Sequence, residues 1–182
     1  QPLTTLMLNT ESVSEFSSAP MLRGVISKVN GIPAKDFVGD HWAIRGDRGL
    51  TYSESPPRKN SIVAGDWWDK EYDGEPLISF AKDEAIEMGL SLGDKITVNV
   101  LGRDIVGTVK NFRDVDFATM RINFLMVFNP RALNMAPHSY IATLYSKKSS
   151  EVDLLKKIRE NYPNVTAISM KDTLSKVSET LT

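Results

Sequence analysis

The stretch 95-KITVNVLGRDIVGTVK-110 carries the clearest structural signal in this chain of 182 residues. Ile96, Val98 and Val100 alternate with polar residues, which is the period of a strand that buries one face. A tight turn is indicated at 101–103, where a glycine stands in the middle, and the residues after it alternate again. The stretch therefore predicts a β-hairpin, with further strands around it.

Upstream of the hairpin, the sequence indicates short strands and two helices. Acidic residues at the start of the second helix and Gly89 just after its end mark its bounds, because glycine readily forms a helix cap. Between the strands, 32–60 is rich in Gly, Pro, Asp and Arg, and Pro56-Pro57 excludes a helix there. The predicted elements are a helix at 3–8, strands at 25–29, 62–64 and 77–80, and a helix at 83–88.

Downstream of the hairpin, the pattern changes to alternating strands and helices. Residues 122–128 are almost wholly apolar, which suits a strand buried on both faces. Ser150 and Asp153 predict a capping box for the next long helix, and Pro163 ends it. The predicted elements are a helix at 131–135, a strand at 140–145, a helix at 151–162, a strand at 165–169 and a closing helix at 172–182. The last strands and helices have the spacing of a βαβ unit.

Together these elements predict an α+β fold with two lobes. We expect an α/β lobe that is discontinuous in sequence, built from 1–43 and 116–182. A smaller β-rich lobe, 44–115, is expected to be inserted within it. On this interpretation, the strands at 25–29 and 122–128 share one sheet.

The composition excludes several kinds of partner and site. The formal net charge is −1 and no long block of like charge is present, so nucleic acid and anionic membrane surfaces are disfavoured as partners. Cysteine is absent, which excludes disulfides and thiolate metal sites. No apolar run reaches the roughly 18–20 residues of a membrane-spanning helix. Because the chain opens on Gln1 and stops inside a helical pattern, we expect a segment of a longer polypeptide.

The motifs of common catalytic sites are missing. The sequence has no G-x-x-x-x-G-K-[ST] phosphate loop and no G-x-S-x-G serine motif. Only two histidines, His41 and His138, are available for a triad or a zinc site. Three carboxylate pairs flank turns, where Asp is common for conformational reasons: Asp36 with Asp40, Asp66 with Asp69, and Asp114 with Asp116. We therefore expect no catalytic residue, no metal site and no cofactor.

Four residues are candidates for contacts at the lobe junction or with a partner: Trp67, Trp68, Arg113 and Asp116. Adjacent residues of an extended segment point to opposite sides. One indole is therefore expected to anchor the β-rich lobe, while the other faces the junction or a partner. Core packing alone is the alternative. Asp116 follows Arg113 by three residues, close enough for a local ion pair.

Four motifs in this order and spacing resemble one known family. They are Ala19-Pro20-Met21-Leu22-Arg23-Gly24, Trp42-Ala43-Ile44-Arg45-Gly46-Asp47-Arg48-Gly49-Leu50, Gly65-Asp66-Trp67-Trp68 and Arg113-Asp114-Val115-Asp116. They resemble the large extracytoplasmic domain of FtsX/MacB-type ABC transporter permeases, and most of all the YbbP-like branch. The resemblance runs from about 19 to 145. It implies a ferredoxin-like "porter" lobe with an inserted small β lobe, called the Sabin subdomain.

The resemblance implies a function without catalysis. The chain would be the periplasmic part of a permease in the inner membrane, and it would couple ATP hydrolysis in a separate cytoplasmic subunit to periplasmic transport or mechanotransmission. A periplasmic partner or a lipid-like cargo is expected, and the closing helix would transmit the movement. Two alternatives stay open: an enzyme domain that uses the turn carboxylates near Asp114, and a stand-alone binding module.

Overall fold

The computed structural model describes Leu3, Met7 and residues 9–11, 13–119 and 121–170. It is a mixed α/β structure with one large sheet and a few short helices. The strands are β1 (Val13–Val29), β2 (Ile32–Pro33), β3 (Arg48–Tyr52), β4 (Ser61–Gly65), β5 (Leu77–Ala81), β6 (Lys95–Val100), β7 (Arg103–Asp114), β8 (Met126–Phe128) and β9 (Ser139–Ser146). The helices are α1 (Ala34–Val38), α2 (Lys82–Glu87), α3 (Pro130–Leu133) and α4 (Glu151–Asn161). None of the helices in the described ranges has the length and apolar character that a membrane span requires.

The chain divides into two compact units. One unit is the continuous segment Ser18–Ala142, and the other combines Gln1–Ser17 with Thr143–Thr182. These units differ from the predicted lobes, 1–43 with 116–182 and a smaller 44–115, because the middle unit is the larger of the two and extends beyond 44–115 at both ends. Strand β1 pairs directly with β6, across the predicted boundary at 43–44. A smaller lobe at 44–115 stays a prediction.

Six strands of the middle unit close into a barrel. Successive hydrogen-bonded neighbours follow the order β1-β3-β8-β5-β7-β6, and β6 pairs with β1 again. The β3–β8 and β5–β7 pairs are parallel, and the other four pairs are antiparallel. Because the ring is closed, it has no free strand edge. The strand at 25–29 and β8 share this sheet, as the sequence predicts.

The hairpin at 95–110 is confirmed as β6 and β7, paired from Lys95↔Thr108 to Val100↔Arg103. Its two-residue turn has positive φ at both Leu101 (50°) and Gly102 (85°). This is the turn geometry that matches the right-handed twist of a hairpin. Alternate residues of β6 point inward, and they join a buried core with side chains of β1, β3, β5 and β8.

The unit formed by the chain ends has its own small core. Met7, Leu154 and Ile158 are buried, and they pack with partly buried apolar residues that include Phe16 and Leu144. Leu154 and Ile158 are four residues apart on α4, so they lie on the same face of the helix. This apolar stripe explains why α4 forms at the predicted place.

Three local predictions for the downstream part are wrong. The capping box is not formed, because Ser150 has a helical backbone conformation and no side-chain capping bond. The segment 165–169 is irregular and not a strand, so the βαβ unit is not completed within the described residues. Only Met126–Phe128 of the apolar run 122–128 is a strand. The predicted closing helix at 172–182 lies outside the described residues.

Candidate functional site

The two adjacent tryptophans enter one apolar cluster. Their ring centroids are 4.0 Å apart and the ring planes are tilted by 34°. Trp68 is buried and Trp67 is partly buried, and they pack with Phe124 and Val127. The prediction that the two indoles point to opposite sides is wrong. The alternation rule applies to extended strands, whereas 66–69 follows the end of β4 as irregular backbone.

Both indole N–H groups bind the same nearby segment of main chain. Trp67 Nε1 donates to the carbonyl oxygen of Glu54 at 3.0 Å, and Trp68 Nε1 donates to that of Ser53 at 2.9 Å. A buried indole N–H needs an acceptor, and here the two acceptors are consecutive. The tryptophan pair therefore fixes the beginning of the segment 53–60, which we call the proline loop.

The end of the proline loop is fixed by a buried arginine. Arg113 of β7 is fully buried, and its Nη1 donates to Asn60 Oδ1 at 2.8 Å. Nε donates to Ser79 Oγ at 2.8 Å, and Nη2 donates to the carbonyl oxygens of Phe124 and Leu125 at 2.8 and 3.2 Å. The guanidinium thus joins β5, β7, the segment before β8 and the loop.

Every hydrogen-bond acceptor recorded for the Arg113 guanidinium is uncharged, which is unusual for a buried cation. Burial lowers the pKa of Arg113 to about 10, although the carboxylate of Glu84 acts in the opposite direction. The side chain therefore keeps its charge at neutral pH. Its stability in the interior depends on the number and geometry of these hydrogen bonds.

A chain of polar contacts connects Arg113 with the tryptophan motif. Ser79 Oγ, which accepts from Arg113, donates to Asn111 Oδ1. Asn111 Nδ2 donates in turn to the carbonyl oxygen of Asp66 at 3.1 Å, directly before Trp67. Both ends of the proline loop are therefore held by one connected set of hydrogen-bonded groups, of which Arg113, Ser79 and Asn111 are buried.

The predicted ion pair between Arg113 and Asp116 is wrong. Arg113 points into the barrel unit, while Asp116 is exposed and its Oδ1 accepts from the backbone N–H of Ala118 at 2.9 Å. Its carbonyl oxygen accepts from Thr119 and Asn123. Asp116 therefore stabilises a local turn, as Asp commonly does.

The histidines also have structural partners. His41 Nδ1 accepts from the backbone N–H of Ala43, so Nε2 carries the proton and donates to Glu87 at 2.7 Å. His138 lies 3.3 Å from the hydroxyl of Tyr52, with its other ring nitrogen 2.9 Å from the carbonyl oxygen of Ala136. Within the described ranges, no three His, Asp or Glu side chains are placed to hold a metal ion. His41 thus contacts the end of α2, and His138 contacts the end of β3.

The proline loop itself is the exposed part of this site. Glu54, Ser55, Pro56, Arg58 and Lys59 are exposed, between the two anchored ends. Asn60 N donates to the carbonyl oxygen of Pro57 at 3.1 Å, which closes a turn. Sequence reasoning singled out Trp67, Trp68 and Arg113 but missed their common role. The partners Asn60 and Ser79 give no local signal, since they lie 53 and 34 residues from Arg113.

We expect Trp67→Phe to loosen the proline loop without disrupting the aromatic cluster. The ring would remain, but the hydrogen bond to Glu54 would be lost, at a cost of about 1 kcal/mol. If local opening limits cleavage, trypsin should cut after Arg58 and Lys59 about fivefold faster. Cleavage after Lys147 and Lys148, in the other unit, provides the control. Equal rates at the loop in both proteins would show that the Trp67 N–H does not hold it.

Comparisons with known proteins connect the chain with transporters. No family model matches it. Over 176 residues, 97% of the chain, it is 24% identical to the ABC transporter permease YbbP of Escherichia coli (strain K12). The chain spans about a fifth of that relative (21%). A crystal structure described as a permease-protein domain from Porphyromonas gingivalis has a TM-score of 0.43 and 13% identity, over 86% of this chain and 74% of that one. The similarity to YbbP confirms the resemblance that the four motifs predict.

Proposed function

We propose that this chain is the extracytoplasmic domain of an ABC transporter permease subunit. The observation that carries the proposal is the similarity to YbbP along 97% of the chain, which includes all four sequence motifs. The same similarity favours a transporter domain over the enzyme alternative. That alternative finds no support in the carboxylates near Asp114, because Asp116 is engaged in its own turn.

We further propose that the domain couples ATP hydrolysis in a separate cytoplasmic subunit to movement or transport outside the membrane. The description of the relative YbbP as an ABC transporter permease supports a division of labour between a permease chain and an ATPase chain. A periplasmic partner or a lipid-like cargo would then be what the domain acts on. The full-length protein would lie in the inner membrane, with this segment in the periplasm.

The finer architecture also belongs to the proposal. The unit of the two chain ends would correspond to the ferredoxin-like porter lobe of the family, and the closed barrel to the inserted β lobe. This assignment is supported by the nested order of the units and by the position of α4 in the unit of the chain ends. On this assignment the inserted lobe would extend over about 18–142, which is wider than the predicted 44–115.

The location of the segment can be tested by cysteine labelling, because the chain has no cysteine of its own. Met135→Cys would place a thiol on a side chain that is 91% exposed. In a full-length protein without other cysteines, a membrane-impermeant maleimide should label this position in intact cells. Val98→Cys, which is fully buried, is the matched control and should react only after denaturation. Labelling of Met135→Cys only after lysis would contradict an extracytoplasmic location.

A further inference from the structure

The tip of the proline loop carries two exposed, adjacent cations, Arg58 and Lys59. Their side chains form no hydrogen bond or ion pair with any residue that the structure describes. Two other exposed arginines, Arg23 and Arg45, are paired with aspartates, whereas Arg103 is exposed and unpaired in the described part of the chain, as Arg58 is. The two adjacent positive charges at the tip are therefore available to a ligand.

The turn at the tip has a residue that the backbone does not favour. Lys59 has φ = 64°, in the left-handed region, where glycine or asparagine is the usual choice. It is the third residue of the turn closed by the hydrogen bond from Asn60 to Pro57. A lysine in this conformation is a local conflict between sequence and structure, and such conflicts concentrate at functional positions.

The loop is also held in place before any ligand arrives. Its beginning is bound by the two indole N–H groups, and its end is bound by Arg113 through Asn60. Pro56 and Pro57 further restrict the backbone between these anchors. Binding to such a loop loses little conformational entropy, so even two charges can contribute to affinity.

We propose that the tip of the proline loop binds an acidic segment of a partner protein, with Arg58 and Lys59 contacting its carboxylates. The partly buried Trp67 lies beside the beginning of the loop. Tryptophan and arginine are among the residue types that contribute most to binding energy at protein interfaces, and this region contains both. Membrane surfaces are usually recognised by clusters of about 4–8 basic residues, which two cations do not provide. The proposal stands independently of the transporter role.

The experiment uses this chain and a fluorescently labelled, capped oligo-glutamate peptide, with oligo-glutamine as the uncharged comparison. We expect the acidic peptide to bind more tightly, and its affinity to fall as salt is added. The double variant Arg58→Ser, Lys59→Gly should weaken binding roughly tenfold, since two exposed ionic contacts are lost. Glycine at 59 suits the positive φ, so the variant should keep the fold, which its urea midpoint checks.

Two further variants separate the proposal from a general effect of charge. Lys147→Ser, Lys148→Gly removes another adjacent pair of exposed cations, without the anchors of the proline loop, and it should leave the affinity unchanged. Trp67→Phe keeps both loop charges but removes one anchor, and it should weaken binding about threefold if the held conformation matters.

Several results would overturn the proposal. Equal affinity for oligo-glutamate and oligo-glutamine would exclude recognition of carboxylates. If the double variant at Lys147 and Lys148 weakened peptide binding as much as the double variant at Arg58 and Lys59, the loop would be excluded as the binding site. Binding that depends on Arg58 and Lys59 to phosphatidylglycerol vesicles, but not to the peptide, would assign the tip to a membrane instead. None of these results bears on the labelling test of location, so the two proposals fail separately.

Discussion

Replacing Arg113 with alanine is expected to destabilise the barrel unit by about 4 kcal/mol. The substitution leaves Asn60 Oδ1, Ser79 Oγ and the carbonyl oxygen of Phe124 without this donor, and it leaves a cavity. The carbonyl oxygen of Leu125 keeps its second donor, the backbone N–H of Ala81. Unsatisfied buried acceptors cost about 1–3 kcal/mol each when relaxation or water does not compensate them. Urea unfolding monitored by tryptophan fluorescence would measure the loss, because Trp68 is buried close to the segment that Arg113 holds.

Two companion variants make this result specific. Arg103→Ala lies on the same strand but is exposed, so it should change the free energy of unfolding by less than about 0.5 kcal/mol. Arg113→Lys keeps the charge but cannot reproduce the planar set of donors, so it should recover only part of the loss. If the Arg113→Ala and Arg103→Ala variants had the same free energy of unfolding, the hydrogen bonds of the buried guanidinium would not stabilise the barrel unit.

Gly65→Ala should have the second largest effect, about 3 kcal/mol, although it adds a single methyl group. Gly65 has φ = 72°, and a Cβ atom there would lie 2.3 Å from the carbonyl oxygen of Lys110. The obstacle is main chain of β7, which pairs with β4, so it cannot move away cheaply. The strain of the left-handed conformation adds roughly 1–2 kcal/mol.

Gly46→Ala separates the two contributions to this effect. Gly46 has a similar φ of 83°, but no atom lies within 4 Å of the added Cβ. It should therefore lose only the conformational part, about 1 kcal/mol. The difference between the two variants in thermal or urea unfolding measures the close approach of β4 to β7. If Gly65→Ala lowered the free energy of unfolding no more than Gly46→Ala does, the close approach of β4 to β7 would not be a source of strain.

Features set by neighbouring residues could be predicted from the sequence. The hairpin at 95–110 and the helix near 83–88 depend on alternation, turn residues and a glycine cap, all within a few positions. Gly89 has the positive φ expected after that helix. The family resemblance was equally accessible, because four short motifs keep their order along the chain.

Features set by distant residues could not be predicted in the same way. The closed barrel depends on the parallel pairing of β3 with β8, whose partners Leu50 and Met126 lie far apart in sequence. The buried position of Arg113 depends on acceptors from three other segments, and without them an arginine is expected at the surface. The expectation that Trp67 and Trp68 point to opposite sides was wrong because it assumed extended backbone, whereas β4 ends at Gly65.

Strand β8 has consequences for the synthesis of this protein. It is only three residues long, yet it lies between β3 and β5 and is the link that completes the ring. A chain growing from its N-terminus therefore has two unpaired strand edges, on β3 and β5, until Phe128 has left the ribosome. During that interval the nascent chain is open to pairing with other strands, and a product truncated before Met126 would retain both edges permanently.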